Sequence, residues 1–103
     1  MMSTKQEILD VLDRNQSGLI ALGIRRIGLF GAFVRGEEEP ESDIDLLVEF
    51  APDQKSFDTM MDLCLLLERI LPHKFDLVTM DTLHPKVASR ILQEVEYAAA
   101  EPR

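Results

Sequence analysis

The sequence has little cysteine and no tryptophan. Cys64 is the only cysteine among the 103 residues, so a disulfide within the chain is excluded. We therefore expect the protein in a reducing cytosol. Long hydrophobic runs are also missing, because no window approaches the roughly 20 apolar residues that a membrane-spanning helix needs.

Basic residues are scarce as well. The chain has 11 Lys and Arg against 19 Asp and Glu, a formal net charge of −8. This balance argues against non-specific binding to a nucleic-acid backbone, which needs clustered basic side chains. A nucleotide remains possible, because a bound metal ion can reverse the local field. The length fits a single domain over residues 1–103, in which we expect residues from about 99 to fray.

The most informative stretch is residues 28–50, GLFGAFVRGEEEPESDIDLLVEF. It predicts a strand, a glycine turn with one helical turn, an acidic loop and a second strand that carries Asp43 and Asp45. Side chains two residues apart on a strand point the same way. Two such carboxylates repel by roughly 1–4 kcal/mol. A divalent cation is the natural partner, since hard cations prefer carboxylate oxygens.

The periodicity predicts the order helix, strand, short helix, strand, helix, strand, helix. This order indicates an α/β or α+β fold with helices on a three- or four-stranded sheet. The first helix is expected to start at a capping box, formed by Thr4 with Glu7 or by Ser3 with Gln6, and to run to about Leu22. Asp81 or Thr82 is expected to cap the last helix.

The third helix is the widest apolar element of the sequence. It is expected to start after a Ser56 cap and to end at about Leu71. Its predicted buried stripe consists of Phe57, Met60, Cys64, Leu67 and Leu71. Further apolar residues widen that stripe, so a partner interface and a central core helix are equally good interpretations.

The third strand, residues 75–79, carries Asp76 near its start. If the second and third strands are neighbours, Asp76 can join the aspartate pair. Three clustered carboxylates could bind one or two Mg²⁺ ions. Two metal ions about 3.5–4 Å apart can hold the attacking and leaving oxygens of a phosphoryl displacement.

The turn before the acidic loop offers groups that bind phosphate. Gly31 and Ala32 would present backbone N–H groups, and Arg35 a permanently charged planar fork. Ser42 can hydrogen-bond the loop, and we count it with these nucleotide-binding candidates.

The order and spacing of these residues resemble those of a known protein family. Gly31-Ala32, ten residues and then Asp43-x-Asp45 resemble the hallmark of the minimal nucleotidyltransferases in the DNA-polymerase-beta-like superfamily, where Gly-Ser precedes Asp-x-Asp. The resemblance covers nearly the whole chain. It implies a nucleotidyltransferase fold with a small mixed sheet flanked by helices. It also implies catalytic and metal-binding roles for Asp43, Asp45 and Asp76, and phosphate contacts for Gly31, position 32 and Arg35.

Stand-alone chains of this size resemble the antitoxins of HEPN/MNT toxin–antitoxin pairs. That resemblance implies a HEPN-domain ribonuclease as partner, Mg²⁺ as cofactor, and transfer of AMP from ATP onto a toxin tyrosine. Ala32 replaces the family's serine and removes a hydrogen bond worth about 1.5–3 kcal/mol when made to a charged group. An alternative is a binding module that masks the toxin without catalysis. Transfer to a small molecule is disfavoured, because no second domain is available to bind it.

Overall fold

A computed structural model describes residues 4–71 and 73–98. The predicted fraying of the tail from about residue 99 therefore lies outside the described residues. The elements are α1 (Lys5–Arg14), α2 (Gln16–Ala21), β1 (Ile24–Phe30), α3 (Ala32–Arg35), β2 (Ile44–Phe50), α4 (Phe57–Ile70), β3 (Phe75–Thr79), a 3₁₀ turn (Met80–Thr82), α5 (Pro85–Glu94) and β4 (Glu96–Tyr97). Within the described ranges, every helix is too short or too polar to cross a membrane.

The four strands form one mixed sheet in the order β3-β2-β1-β4. β2 and β3 are parallel, whereas β1 runs antiparallel to both β2 and β4. The predicted fold class, a small mixed sheet flanked by helices, is confirmed. The predicted element order lacks the short β4, which pairs with Gly28 and Leu29 after α5 has ended.

The two faces of the sheet differ in chemistry. Residues of β1 and β2 that alternate onto one face are fully buried against α1, α2 and α4: Ile27, Leu29, Ile44, Leu46 and Val48. The other face carries Asp45, Leu47 and Glu49 of β2. On that face a Cβ at Gly28 would collide with Val95 and Tyr97. The glycine therefore lets the chain after α5 cross close to the sheet.

The first predicted helix is two helices. The capping box at its start is present, because the Thr4 side chain accepts from the Glu7 N–H and the Glu7 carboxylate accepts from the Thr4 N–H. The predicted end near Leu22 is wrong, since α1 ends at Arg14. The Asn15 side chain donates to the Val11 carbonyl at 2.8 Å, a local bond that competes with helix continuation.

The predicted cap of the last helix is also wrong. His84 occupies that position, and its Nδ1 accepts from the Lys86 N–H at 3.1 Å. Asp81 and Thr82 lie in the preceding 3₁₀ turn. The Asp81 carboxylate accepts from Lys55 Nζ at 3.0 Å. Asp81 therefore forms an ion pair and does not cap α5.

The buried face of α4 differs from the predicted stripe. Ser56 caps the helix as expected, by accepting from the Thr59 N–H. Leu67 and Leu71 of the predicted stripe are buried as expected. However, Phe57 is 79 % exposed, and Leu63 is fully buried. Apolar residues occur almost all round this helix, so the periodicity could not select which side faces a sheet of only four strands.

Two alanine substitutions on α4 test this orientation. Leu67→Ala should destabilise the protein by about 2–5 kcal/mol, because it opens a cavity in the core. Phe57→Ala should change the free energy of unfolding by less than about 1 kcal/mol, since this ring lies in solvent. Urea denaturation measures both, and equal losses would contradict the assigned face.

Candidate active site

The parallel pairing of β2 and β3 brings the predicted carboxylates to one end of the sheet. Asp45 lies directly opposite Asp76 in the register of the two strands. Neighbours in register point to the same face of a sheet. Asp43 lies two residues before Asp45, immediately ahead of β2. All three predicted catalytic residues are thus near one another.

Asp45 is the electrostatic centre of this group. Its side chain is half-buried, whereas Asp43 and Asp76 are exposed. Burial raises the pKa of Asp45 above its usual value, and the charges of Asp76 and then Asp43 raise the pKa further, against the lowering effect of Arg35. The three carboxylates therefore repel one another, and a cation bound beside them would reduce this repulsion.

The carboxylates are not gathered as one set of metal ligands. Within residues 4–71 and 73–98, no group of three or more His, Cys, Asp or Glu side chains is placed to hold an ion. Asp45 faces one cavity, and Asp43 and Asp76 face another. The oxygen-only donor chemistry and the mutual repulsion fit Mg²⁺. The metal roles of these residues remain a prediction.

The position of the Asp45 side chain requires a glycine at position 31. Its φ of +81° lies in the left-handed region, and a Cβ at this position would collide with Asp45 Oδ2. A glycine permits both the backbone conformation and the close approach of the carboxylate. The glycine of the motif therefore positions a catalytic candidate as well as the turn.

The Glu94 carboxylate accepts hydrogen bonds from two groups that were predicted to bind phosphate. The Gly31 N–H donates to Glu94 Oε2 at 2.7 Å, and Arg35 Nη1 donates to both Glu94 oxygens at 3.0 and 3.1 Å. The Gly31 N–H and Arg35 together hold the pKa of Glu94 below its usual value. Arg35 Nε also donates to Glu37 at 2.9 Å. Glu94 therefore lies where an anion binds.

The sequence analysis missed Glu94. It lies 63 residues from Gly31, at the end of α5, and no local motif marks it. Only the placement of α5 beside α3 brings it to the turn. With Gly31, Arg35, Asp45 and Arg90 it lines a cavity of about 360 Å³, within the usual size range of ligand sites.

Two predicted nucleotide-binding residues, Ala32 and Ser42, are not among the residues that line either cavity beside the carboxylates. Ala32 begins α3 directly after Gly31. The Ser42 hydroxyl accepts from the Glu39 N–H at 2.8 Å, and the Ser42 N–H donates to the Glu39 carbonyl at 2.9 Å. Ser42 thus closes the acidic loop, as its position ahead of the aspartates suggested.

A second cavity of about 470 Å³ lies on the other side of the carboxylates. Asp43 and Asp76 line it together with Cys64 and Phe75, among others. The carboxylates therefore separate two spaces. The first cavity holds two arginines beside Asp45 and Glu94. The second holds the apolar Leu71 and Phe75 beside Cys64 and a set of polar residues: Asp43, Glu68, His73, Lys74 and Asp76.

The family model for the nucleotidyltransferase domain matches residues 5–98. The chain belongs to this family. It is 37% identical over 97 residues to the protein adenylyltransferase MntA of Thermococcus cleftensis, covering 93% of this chain and 97% of the relative. The predicted resemblance and the predicted enzyme class are confirmed by this match.

Solved structures share the fold. A structure described as a candidate minimal nucleotidyltransferase is 29% identical, with a TM-score of 0.69, and the match covers 85% of this chain and 93% of that one. A tri-AMPylated Shewanella oneidensis HEPN toxin in complex with an MNT antitoxin also matches. There the identity is 21% and the TM-score 0.54, over 82% of this chain and 69% of that one.

Asp45→Asn should stabilise the metal-free protein at neutral pH. The pKa of Asp45 is raised in the folded state, so its contribution to stability falls as pH rises from the ordinary aspartate pKa through the folded one. The gain in the variant should therefore vanish at a pH below the ordinary pKa. Thermal unfolding across pH measures this difference.

Asp81→Asn is the matched control for this titration. Lys55 lowers the pKa of Asp81, so this substitution should reduce stability at neutral pH, the opposite sign. Stabilisation by both substitutions, or by neither, would contradict the repulsion assigned to Asp45.

Glu94→Gln should tighten the binding of ATP by about tenfold. The substitution removes a negative charge from the cavity and weakens the hold on Arg35, and a hydrogen bond to a charged group is worth about 1.5–3 kcal/mol. Calorimetric titration with a non-hydrolysable ATP analogue measures the Kd. Weaker binding in the variant would instead make Glu94 a support of the phosphate-binding turn. Glu96→Gln, on β4, is the charge-matched control.

Proposed function

We propose that the chain is a Mg²⁺-dependent protein adenylyltransferase of the cytosol that moves AMP from ATP onto a tyrosine hydroxyl of a HEPN-domain ribonuclease, and so acts as its antitoxin. The relative named protein adenylyltransferase MntA supports the reaction. The AMPylated HEPN toxin found with an MNT antitoxin supports the partner. The observation that carries the proposal is the pairing of Asp45 with Asp76 beside a cavity lined by arginines.

The triphosphate is assigned to the cavity of about 360 Å³. Arg35 and Arg90 supply positive charge there, and the Gly31 N–H supplies a donor. ATP must displace Glu94 from both Gly31 and Arg35. Ala32 has only its backbone N–H to offer, since its side chain has no hydroxyl.

The transfer itself balances as a single displacement. The acceptor oxygen forms a bond to the α-phosphorus, the bond from that phosphorus to the bridging oxygen breaks, and pyrophosphate leaves. Asp76 takes the proton of the acceptor hydroxyl, because it is an exposed carboxylate opposite Asp45. Asp43, Asp45 and Asp76 would have to converge from the two cavities they face to hold Mg²⁺, which would neutralise phosphate charge and lower the pKa of that hydroxyl.

A second candidate function is toxin masking without catalysis. Two observations favour it: position 32 is alanine, and Glu94 already occupies the phosphate-binding groups. In this case the chain would inhibit its partner by covering it, and ATP would have no effect.

Asp43→Asn separates the two functions. With Mg²⁺ and ATP labelled in its α-phosphate, the wild-type chain should label a purified HEPN-domain toxin, and the variant should label it at least about 100-fold more slowly, because a metal-binding carboxylate is lost. Gel autoradiography measures the label. Inhibition of the ribonuclease without ATP, unchanged in Asp43→Asn, would establish masking instead.

Ala32→Ser should strengthen nucleotide binding. The added hydroxyl restores a hydrogen bond to phosphate worth about 1.5–3 kcal/mol, which is roughly 10- to 150-fold in Kd. Calorimetric titration with the same ATP analogue measures it. An unchanged Kd would remove the α3 turn from the nucleotide site.

A further inference from the structure

The cavity on the far side of the carboxylates has the chemistry of an acceptor site. Its polar end is formed by Asp43 and Asp76, and its walls include Cys64, Leu71 and Phe75. An aromatic ring packs well against such walls, while its hydroxyl needs a polar partner. The cavity thus matches a tyrosine side chain better than it matches a polyphosphate, because its walls can pack against a ring and it holds no arginine, whereas the other cavity holds two.

α4 connects this cavity to an exposed apolar surface. Cys64 and Glu68 of α4 line the cavity. Phe57, Met61 and Leu65 lie outside it and are 79 %, 45 % and 59 % exposed. We call these three residues the α4 stripe. Residues three and four apart are neighbours on a helix surface, so the stripe continues without a break from Met61 and Leu65 into the cavity wall.

The charged side chains around the α4 stripe indicate which kind of partner would bind there. Asp58, Asp62 and Glu68 are exposed on the same side of α4, against one exposed cation, Arg69. Exposed large apolar residues in a row mark a contact surface rather than a random surface position. An acidic border of this kind complements a basic protein, and a ribonuclease must present Lys and Arg to the phosphates of its RNA.

We propose that the cavity beside Asp43 and Asp76 receives the acceptor tyrosine, and that the α4 stripe seats the basic ribonuclease that carries it. The inference rests on the proposed function for the identity of the acceptor. ATP enters on the Arg35 side and the acceptor hydroxyl on the Asp76 side. The two substrates would therefore reach the carboxylates from different cavities.

Cys64 provides a native probe of this site, because it is the only cysteine of the chain and lies in the cavity wall. The rate of its alkylation by N-ethylmaleimide should fall at least tenfold when the HEPN-domain toxin binds to the full chain. ATP alone should leave the rate unchanged. Protection by ATP and not by the toxin would overturn the assignment of the two cavities.

Leu65→Lys tests the docking surface, and Leu92→Lys is its matched control, since Leu92 is a similarly exposed leucine (46 %) on α5. Leu65→Lys should raise the KM for the toxin at least tenfold, with kcat and the Kd for ATP unchanged. Leu92→Lys should behave as wild type. Equal KM values in the two variants would overturn the proposed surface.

The failures of the two proposals are distinguishable. If the wild type transfers no AMP but the toxin still protects Cys64, the proposed function fails and the docking surface stands. If AMP is transferred while Cys64 remains unprotected and Leu65→Lys is unimpaired, the docking surface fails and the proposed function stands.

Discussion

The repulsion between Asp45 and Asp76 is the interaction on which the rest of the site depends. Parallel pairing of β2 and β3 places the two carboxylates opposite each other. Burial of Asp45 is the largest cause of its raised pKa, and the charge of Asp76 raises that pKa further. The fold tolerates this because Ile44 and Leu46, on the other face of the same strand, are fully buried in the core. The same strand thus stabilises the protein with one face and presents reactive groups with the other.

Glu94 gives the phosphate side of the site a second constraint. It holds the Gly31 N–H and Arg35, so the end of α5 closes over the turn that carries the nucleotide motif. The Gly31 N–H donates to the Glu94 carboxylate, and the close approach of Asp45 leaves no room for a side chain at position 31.

The sequence predicts a helix or strand well where its apolar pattern favours only one arrangement. β3 has its predicted bounds, residues 75–79, because Phe75, Leu77 and Val78 form a short run of apolar residues that favour a strand. The predicted buried stripe of α4 is right for Leu67 and Leu71 and wrong for Phe57. Apolar residues surround the helix, so the burial of Leu63 rather than Phe57 depends on the sheet that the helix meets. Glu94 could not be predicted, since its role arises from a contact across 63 residues.

The pKa of Asp45 is the most direct test of the central claim. Carboxyl-carbon NMR titration of the wild type should show Asp45 titrating above the ordinary aspartate range. That pKa should fall in Asp76→Asn and also when Mg²⁺ is added to the wild type. An ordinary pKa for Asp45, unchanged by the substitution and by Mg²⁺, would show that the two carboxylates do not interact and would contradict the account.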